Sequence, residues 1–245
     1  KQVLKKIIEW NPDKTILLPL YPHLSTTTSS SSFDDWEKNS SKLGFDCPTK
    51  KVCCFPLDEA FILSHVELIQ ESINKVHHKD NFIVLFSAHG LPKKVVLDGD
   101  PYVWQINETV KKIVQKLNLT SEQWKVAFQS KVTPVEWVKP YTEDEIINAG
   151  KANKSVIIVP ISFVSEHSET LVELDIEYKK IAMESGVDLY ERVPALGISR
   201  LFIEGLSKII FNLNADKVHC ENNPIEKRTR ICPANFYKCR FENEI

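Results

Sequence analysis

Apolar residues fall into two textures along this chain. Some cluster in short segments: TILLPL (15–20), FIVLFS (82–87), WKVAFQ (124–129), SVIIVP (155–160) and VDLYERV (187–193), of which FIVLFS is a continuous apolar run. Runs this short, rich in β-branched and aromatic residues, predict strands, and those apolar throughout predict burial on both faces. The irregular stretch 45–56 holds one further strand candidate at VCCF. Elsewhere apolar residues recur every third or fourth position. Ala60, Phe61, Leu63, Ser64, Leu68 and Ile69 predict a helix from Asp58 to His78. Ile106, Val110, Ile113, Val114 and Leu117 predict another over 103–117. Thr142 followed by Glu143, Asp144 and Glu145 reads as a helix start, because the dipole favours acids in the first turn. Helices are also expected over 167–184 and 199–213, with a shorter signal at 33–38.

Strands alternating with helices at this spacing predict β-α-β units and parallel sheets covered on both faces. Ligands of such sheets bind at the carboxyl ends of the strands. The segments that follow the runs are therefore the place to look. They are Tyr21-Pro22-His23, Ala88-His89-Gly90, Gln129-Ser130-Lys131 and the stretch Ser162 to Glu169. Three histidines, two carboxylates and Trp137 converge on one sheet edge. The Ser/Thr tract in 21–32 reads either as a flexible loop or as a hydroxyl-rich ligand loop.

His89 directly follows a buried strand. It reads either as a structural side chain or as an imidazole that takes a proton or ligates a metal. Glu169, Glu173 and Glu177 recur every four residues on a predicted helix, with Glu166 and His167 just before them. This stripe is either a solvated face or a ladder leading a cation or protons toward His89. Trp137 lies in the Pro-flanked loop PVEWVKP, as a core plug or as a plate against a planar ligand. Two other chemistries lack their signatures: there is no H-E-x-x-H, and Ser87 is not in G-x-S-x-G.

Composition narrows the classes. Lys+Arg is 31 and Asp+Glu is 33, which argues against a surface built to track a polyanion, so no nucleic acid is expected as partner. With 7 Gly and neither G-x-G-x-x-G nor G-x-x-x-x-G-K-[ST], the usual phosphate-cradling loops are missing. No apolar run approaches the roughly 18 residues needed to span a bilayer. The opening KQVLKKIIEWNPDK is amphipathic rather than a secretory leader, and a start at Lys1 reads as an incomplete N-terminus. Six cysteines stand at 47, 53, 54, 220, 232 and 239 and are expected to be free thiols. The spacing Cys220-x11-Cys232-x6-Cys239 lacks the C-x2-C pairs of zinc ribbons.

Several segments together resemble ferrochelatases, which insert ferrous iron into a porphyrin at the end of haem synthesis. They are YPHLSTTTSSSS (21–32), LFSAHGLP (85–92) with GDPY (99–102), FQSKVTPVEWVKP (128–140) and VPISFVSEHSETLVELDIEY (159–178). The resemblance implies an α/β fold of two Rossmann-like, parallel-sheet halves with a cleft between them. The family's first strand-helix-strand stretch has no counterpart here, so the first half is expected to be incomplete. The expected division is 1–24 plus 199–213 for that half, 25–198 for the second, and 214–245 as a C-terminal tail. By resemblance, His89 and Glu169 are catalytic and meet the metal, and Tyr21 and Trp137 bind substrate. Glu166, His167, Glu173 and Glu177 conduct metal or protons. Fe²⁺ is expected as substrate metal and protoporphyrin IX as its acceptor. No [2Fe–2S] cluster is expected, since the internal ligand position of the animal type falls on Thr26. The resemblance further implies a cytoplasmic enzyme touching membrane only peripherally, at the poorly soluble porphyrin. A tetrapyrrole carrier without activity, or a chelatase for coproporphyrin or sirohydrochlorin, stands as the alternative.

Overall fold

The computed structural model describes residues 2–77, 81–131, 134–213, 218–220 and 230–241. The chain runs α1 (Gln2–Trp10), β1 (Thr15–Leu17), α2 (Ser29–Leu43), β2 (Thr49–Cys54), α3 (Glu59–Asn74), β3 (Phe82–His89), α4 (Lys93–Leu97) and α5 (Tyr102–Leu117). It continues with β4 (Trp124–Gln129), α6 (Thr142–Lys151), β5 (Ser155–Pro160), a π-helix (Glu169–Tyr178), α7 (Lys179–Glu184), β6 (Tyr190–Arg192), α8 (Arg200–Phe211) and β7 (Val218–Cys220). Two sheets result, ordered β1-β2-β7 and β4-β3-β5-β6, and every strand pair in them is parallel. The protein is therefore of the α/β, parallel-sheet class that its runs predict.

The core explains why β3 and β5 are apolar throughout. Successive side chains of a strand point to opposite faces. Val84, Phe86 and Ala88 of β3, with Ile157 and Val159 of β5, join Ile62 and Ile69 of α3 and Ile106, Val110 and Ile113 of α5. Leu85, Val156 and Ile158 point the other way, onto Ile146, Leu174, Tyr178 and Ala182. Helices cover both faces, and each such burial contributes about 1.5–3 kcal/mol. The β3 and β4 strands end together, with His89 paired to Gln129. Their carboxyl ends are the edge from which the site is built.

Several boundaries differ from expectation. The second helix spans Ser29–Leu43 rather than 33–38, because Ser29, Ser30 and Phe33 are all buried on its inner side. It stops at Gly44, whose φ of 63° suits a residue without Cβ. The predicted strands 15–20 and 187–193 shorten to three residues each. The helix from Asp58 begins where expected: the Asp58 side chain accepts a hydrogen bond from the Phe61 N–H at 2.7 Å. It ends at Asn74, and the predicted end at His78 lies outside the described residues. The VCCF strand candidate becomes part of β2, which pairs in parallel with β1.

Candidate active site

His89 is the last residue of β3. Its N–H donates to Ser162 Oγ (3.0 Å), and its carbonyl accepts from the Tyr102 hydroxyl (3.1 Å). Gly90 follows because nothing larger fits: a Cβ there would lie 2.7 Å from the Gln129 carbonyl and 3.2 Å from Trp137 Cε3. The imidazole itself is left half-exposed. Its Nδ1 lies 3.3 Å from Glu169 Oε1, and the other Glu169 oxygen lies 3.5 Å from His167 Nδ1. One carboxylate thus faces two imidazoles. The Glu169 N–H also donates to His167 Nδ1 (3.3 Å), and the His167 ring packs on Phe163 with centroids 4.7 Å apart.

Two cavities meet at Glu169. One, of about 310 Å³, is walled by Tyr21, His23, His89, Tyr102, Phe163 and His167 among others. The other, of about 430 Å³, is walled by Ser130, Lys131, Glu143, Glu173 and Glu177, and Glu169 lines both. The π-helix supplies Glu169, Glu173 and Glu177, and α6 supplies Glu143. Its i→i+5 winding is rare and concentrates at functional segments.

The hydroxyl tract closes the first cavity on one side. Asp100, fully buried, gathers it: Asp100 Oδ2 accepts from Ser25 Oγ (2.9 Å), Thr26 N (2.7 Å) and Thr26 Oγ1 (2.7 Å), while Oδ1 accepts from Tyr102 N (2.9 Å). Burial, chiefly, pushes the Tyr102 phenol far above its usual range, so it serves as a neutral donor to the His89 carbonyl. Asp100, Ser162 and Gln129 were not among the sequence candidates. Asp100 stands in GDPY, and Gln129 and Ser162 stand in the segments that follow the strand runs, but no role was legible for any of the three.

The other candidates are placed as follows. Tyr21 is half-exposed on the wall of the 310 Å³ cavity. Trp137 is buried, lines neither cavity, and backs the Gly90 turn. Glu166 also lines neither: Arg192 Nη1 reaches it at 2.8 Å and the Ala195 N–H at 2.9 Å. Burial opposes its ionisation, but hydrogen bonds from Thr170 and Arg192 outweigh that and hold its pKa below the usual carboxylate value. Glu173 accepts from Ser130 N (2.7 Å), Ser130 Oγ (2.5 Å), Gln129 Nε2 (3.0 Å) and the Tyr178 hydroxyl (2.8 Å). Glu177 lines the acidic cavity with it. Among the described residues, no three His, Cys, Asp or Glu side chains are grouped so as to hold a metal ion.

Two buried imidazoles, His23 on this wall and His65 beside it, stay neutral. Burial, and for His23 the neighbouring His65 as well, lowers both pKa values to about 3. A histidine with a depressed folded pKa gains its proton on unfolding. Its share of stability is complete above about 6.5 and is lost as pH falls toward 3. The unfolding free energy should thus fall by about 1.4 kcal/mol per pH unit for each ring between pH 6 and 4. Urea titrations of His65→Leu should show roughly half the slope these two rings produce. An unchanged slope would assign acid lability to other groups.

A ferrochelatase family profile matches residues 1–213. The chain is 49% identical over 243 residues to a ferrochelatase of Rickettsia prowazekii (strain Madrid E), covering 98% of this chain and 67% of that protein. It is 50% identical over 240 residues to the ferrochelatase of Rickettsia felis, with the same coverage. For the ferrochelatase of Pelagibacter ubique the identity is 45% over 237 residues, covering 97% of this chain and 67% of the relative. The chain belongs to the ferrochelatase family.

Proposed function

We propose that this chain inserts ferrous iron into protoporphyrin IX to form protohaem, with His89 and Glu169 as the reacting pair. The observation behind this reading is the 3.3 Å approach of His89 Nδ1 to Glu169 Oε1, with both side chains half-exposed at the junction of the two cavities.

The reaction exchanges two pyrrole protons for one divalent ion. An imidazole near neutral pH is suited to accept the first proton. The Glu169 carboxylate stabilises the resulting imidazolium and passes the proton on, with His167 against its other oxygen. Imidazole and carboxylate are both ligands for Fe²⁺, so the same groups can hand the ion toward the ring nitrogens. Glu173 and Glu177 line the cavity on the far side of Glu169, which suits them to the approach of a cation or the exit of protons. The four donors on Glu173 make it an anchor of that wall. Tyr21 supplies an apolar edge for the macrocycle, and Trp137 holds the turn that presents His89. No helix among the described residues is long and apolar enough to cross a membrane. The insoluble substrate favours delivery at a membrane surface to an enzyme in the cytoplasm.

The test is anaerobic incubation of the chain with Fe²⁺ and protoporphyrin IX, followed by absorbance. Appearance of the haem spectrum is expected. Porphyrin binding without insertion, at any Fe²⁺ concentration, would leave a carrier instead.

A further inference from the structure

Strand β6 is only three residues long, yet two of its side chains grip the π-helix. The Tyr190 hydroxyl donates to the Leu174 carbonyl (2.7 Å). Arg192 meets Asp175 with two nitrogens of its guanidinium, Nε donating to Oδ1 (2.5 Å) and Nη2 to Oδ2 (2.9 Å). The third nitrogen, Nη1, donates to Glu166 Oε1 (2.8 Å). Planar, two-pronged pairs of this kind fix geometry as well as charge. Glu166 and Asp175 flank His167 and Glu169 in the chain, so one guanidinium ties down both sides of the segment that faces His89. Neither Arg192 nor Tyr190 lines either cavity that meets at Glu169.

We propose that Arg192, seconded by Tyr190, is a positioning clamp that holds the π winding in which the Glu169 carboxylate meets His89. Such winding mostly occurs as single turns, and here it runs over ten residues. It gives up the tighter i→i+4 bonds of an α-helix, so contacts from outside have to favour it. The end of β4 supplies one set: Gln129 Nε2 donates to the Glu169 carbonyl (3.1 Å), and Ser130 holds the Glu173 carboxylate. The other set comes from β6, on Leu174 and Asp175. A π turn takes up about one residue more than an α turn. Rewinding the stretch from Asp175 back to Glu169 as α-helix would therefore swing Glu169 by about a third of a turn round the axis. The 3.3 Å approach of Glu169 Oε1 to His89 Nδ1 would not survive that swing. The effect on catalysis rests on the assigned reacting pair; the hold on the winding does not.

Hydrogen exchange read by mass spectrometry and anaerobic turnover are measured on the full chain for wild type, Arg192→Ala, Arg192→Lys and Asp175→Asn. Amides of 170–178 should exchange about fivefold faster in Arg192→Ala and Asp175→Asn, while those of β3 and β5 keep their protection. Arg192→Lys keeps the charge without the fork and should recover only part of the difference. Arg192→Ala should lower kcat about tenfold through the misplaced carboxylate, at unchanged KM for porphyrin. In a Glu169→Gln background the same change should cost less than about twofold more, because the group it positions is already gone. Wild-type exchange over 170–178 in both Arg192→Ala and Asp175→Asn would overturn the clamp. A tenfold loss that persists undiminished beside Glu169→Gln, or a higher KM at unmoved kcat, would overturn its action through Glu169. Should Arg192→Ala not fold, Asp175→Asn carries the same comparisons, since Arg192 then keeps its bond to Glu166. Exchange needs no turnover, so the clamp stands or falls apart from the chelatase reading, which the wild-type assay decides.

Discussion

His89→Ala should lose iron insertion by about 10³-fold, within the range for a proton-transferring group, while porphyrin affinity changes little. The separation follows from position. The side chain projects from the end of β3 into the cavity, whereas its backbone N–H and carbonyl hold Ser162 and Tyr102. Alanine keeps both backbone bonds and leaves Gly90 and Trp137 in place. The rest of the wall, Tyr21 and the tract tied to Asp100 included, is untouched. Porphyrin fluorescence titration gives affinity, and anaerobic Fe²⁺ turnover gives rate. Turnover near wild type would remove the imidazole from the mechanism. Loss of porphyrin binding along with turnover would make His89 part of the grip instead.

Glu169→Gln should slow insertion by about 10²-fold, and Glu177→Gln by less than about threefold. Both variants remove one charge from the same helix, so a general field effect would move them equally. Only Glu169 lies within 3.5 Å of two imidazoles and borders both cavities. Glu173→Gln is a third case. Four donors converge on that carboxylate, two on each oxygen, and an amide nitrogen would confront two of them. Its cost should appear in stability, at about 1–3 kcal/mol, read as a lower urea midpoint. Equal small rate effects at 169 and 177 would reduce the stripe to solvated surface.

How much of this was readable beforehand differs by element. β5 has the limits its run gives, because a strand buried on both faces is uniformly apolar and ends where the polarity changes; β4, at the sheet edge with Lys125 exposed, keeps its limits too. α2 was half hidden: its first residues are serines, which as readily bond their own backbone in turns, and only the finished packing buries Ser29 and Ser30. The π-helix was read as an ordinary helix. Glutamates four apart share a face in either winding, so spacing alone does not separate the two. Proximity of His89 and Glu169 followed from the rule about strand ends. The neighbours that orient them did not. Asp100, Ser162 and Gln129 act through partners tens of residues away, and no local pattern marks an amide that will reach a glutamate across the sheet. The grouping of Cys53 and Cys54 with Cys232 and Cys239 was obscured for the same reason, since β2 and the tail are far apart in sequence and meet only in space.

The all-parallel pairing of both sheets bears on how the chain reaches this state. No described strand is joined to its sheet neighbour by a tight hairpin, so every pairing waits for an intervening crossover to be made. The central strand of the larger sheet gains its second neighbour only once residues 155–160 have left the ribosome. Until then an apolar edge stays uncovered, and contacts this non-local form late. Slow synthesis at low temperature, or added chaperone, should therefore raise the yield of native protein more than any change near the porphyrin pocket.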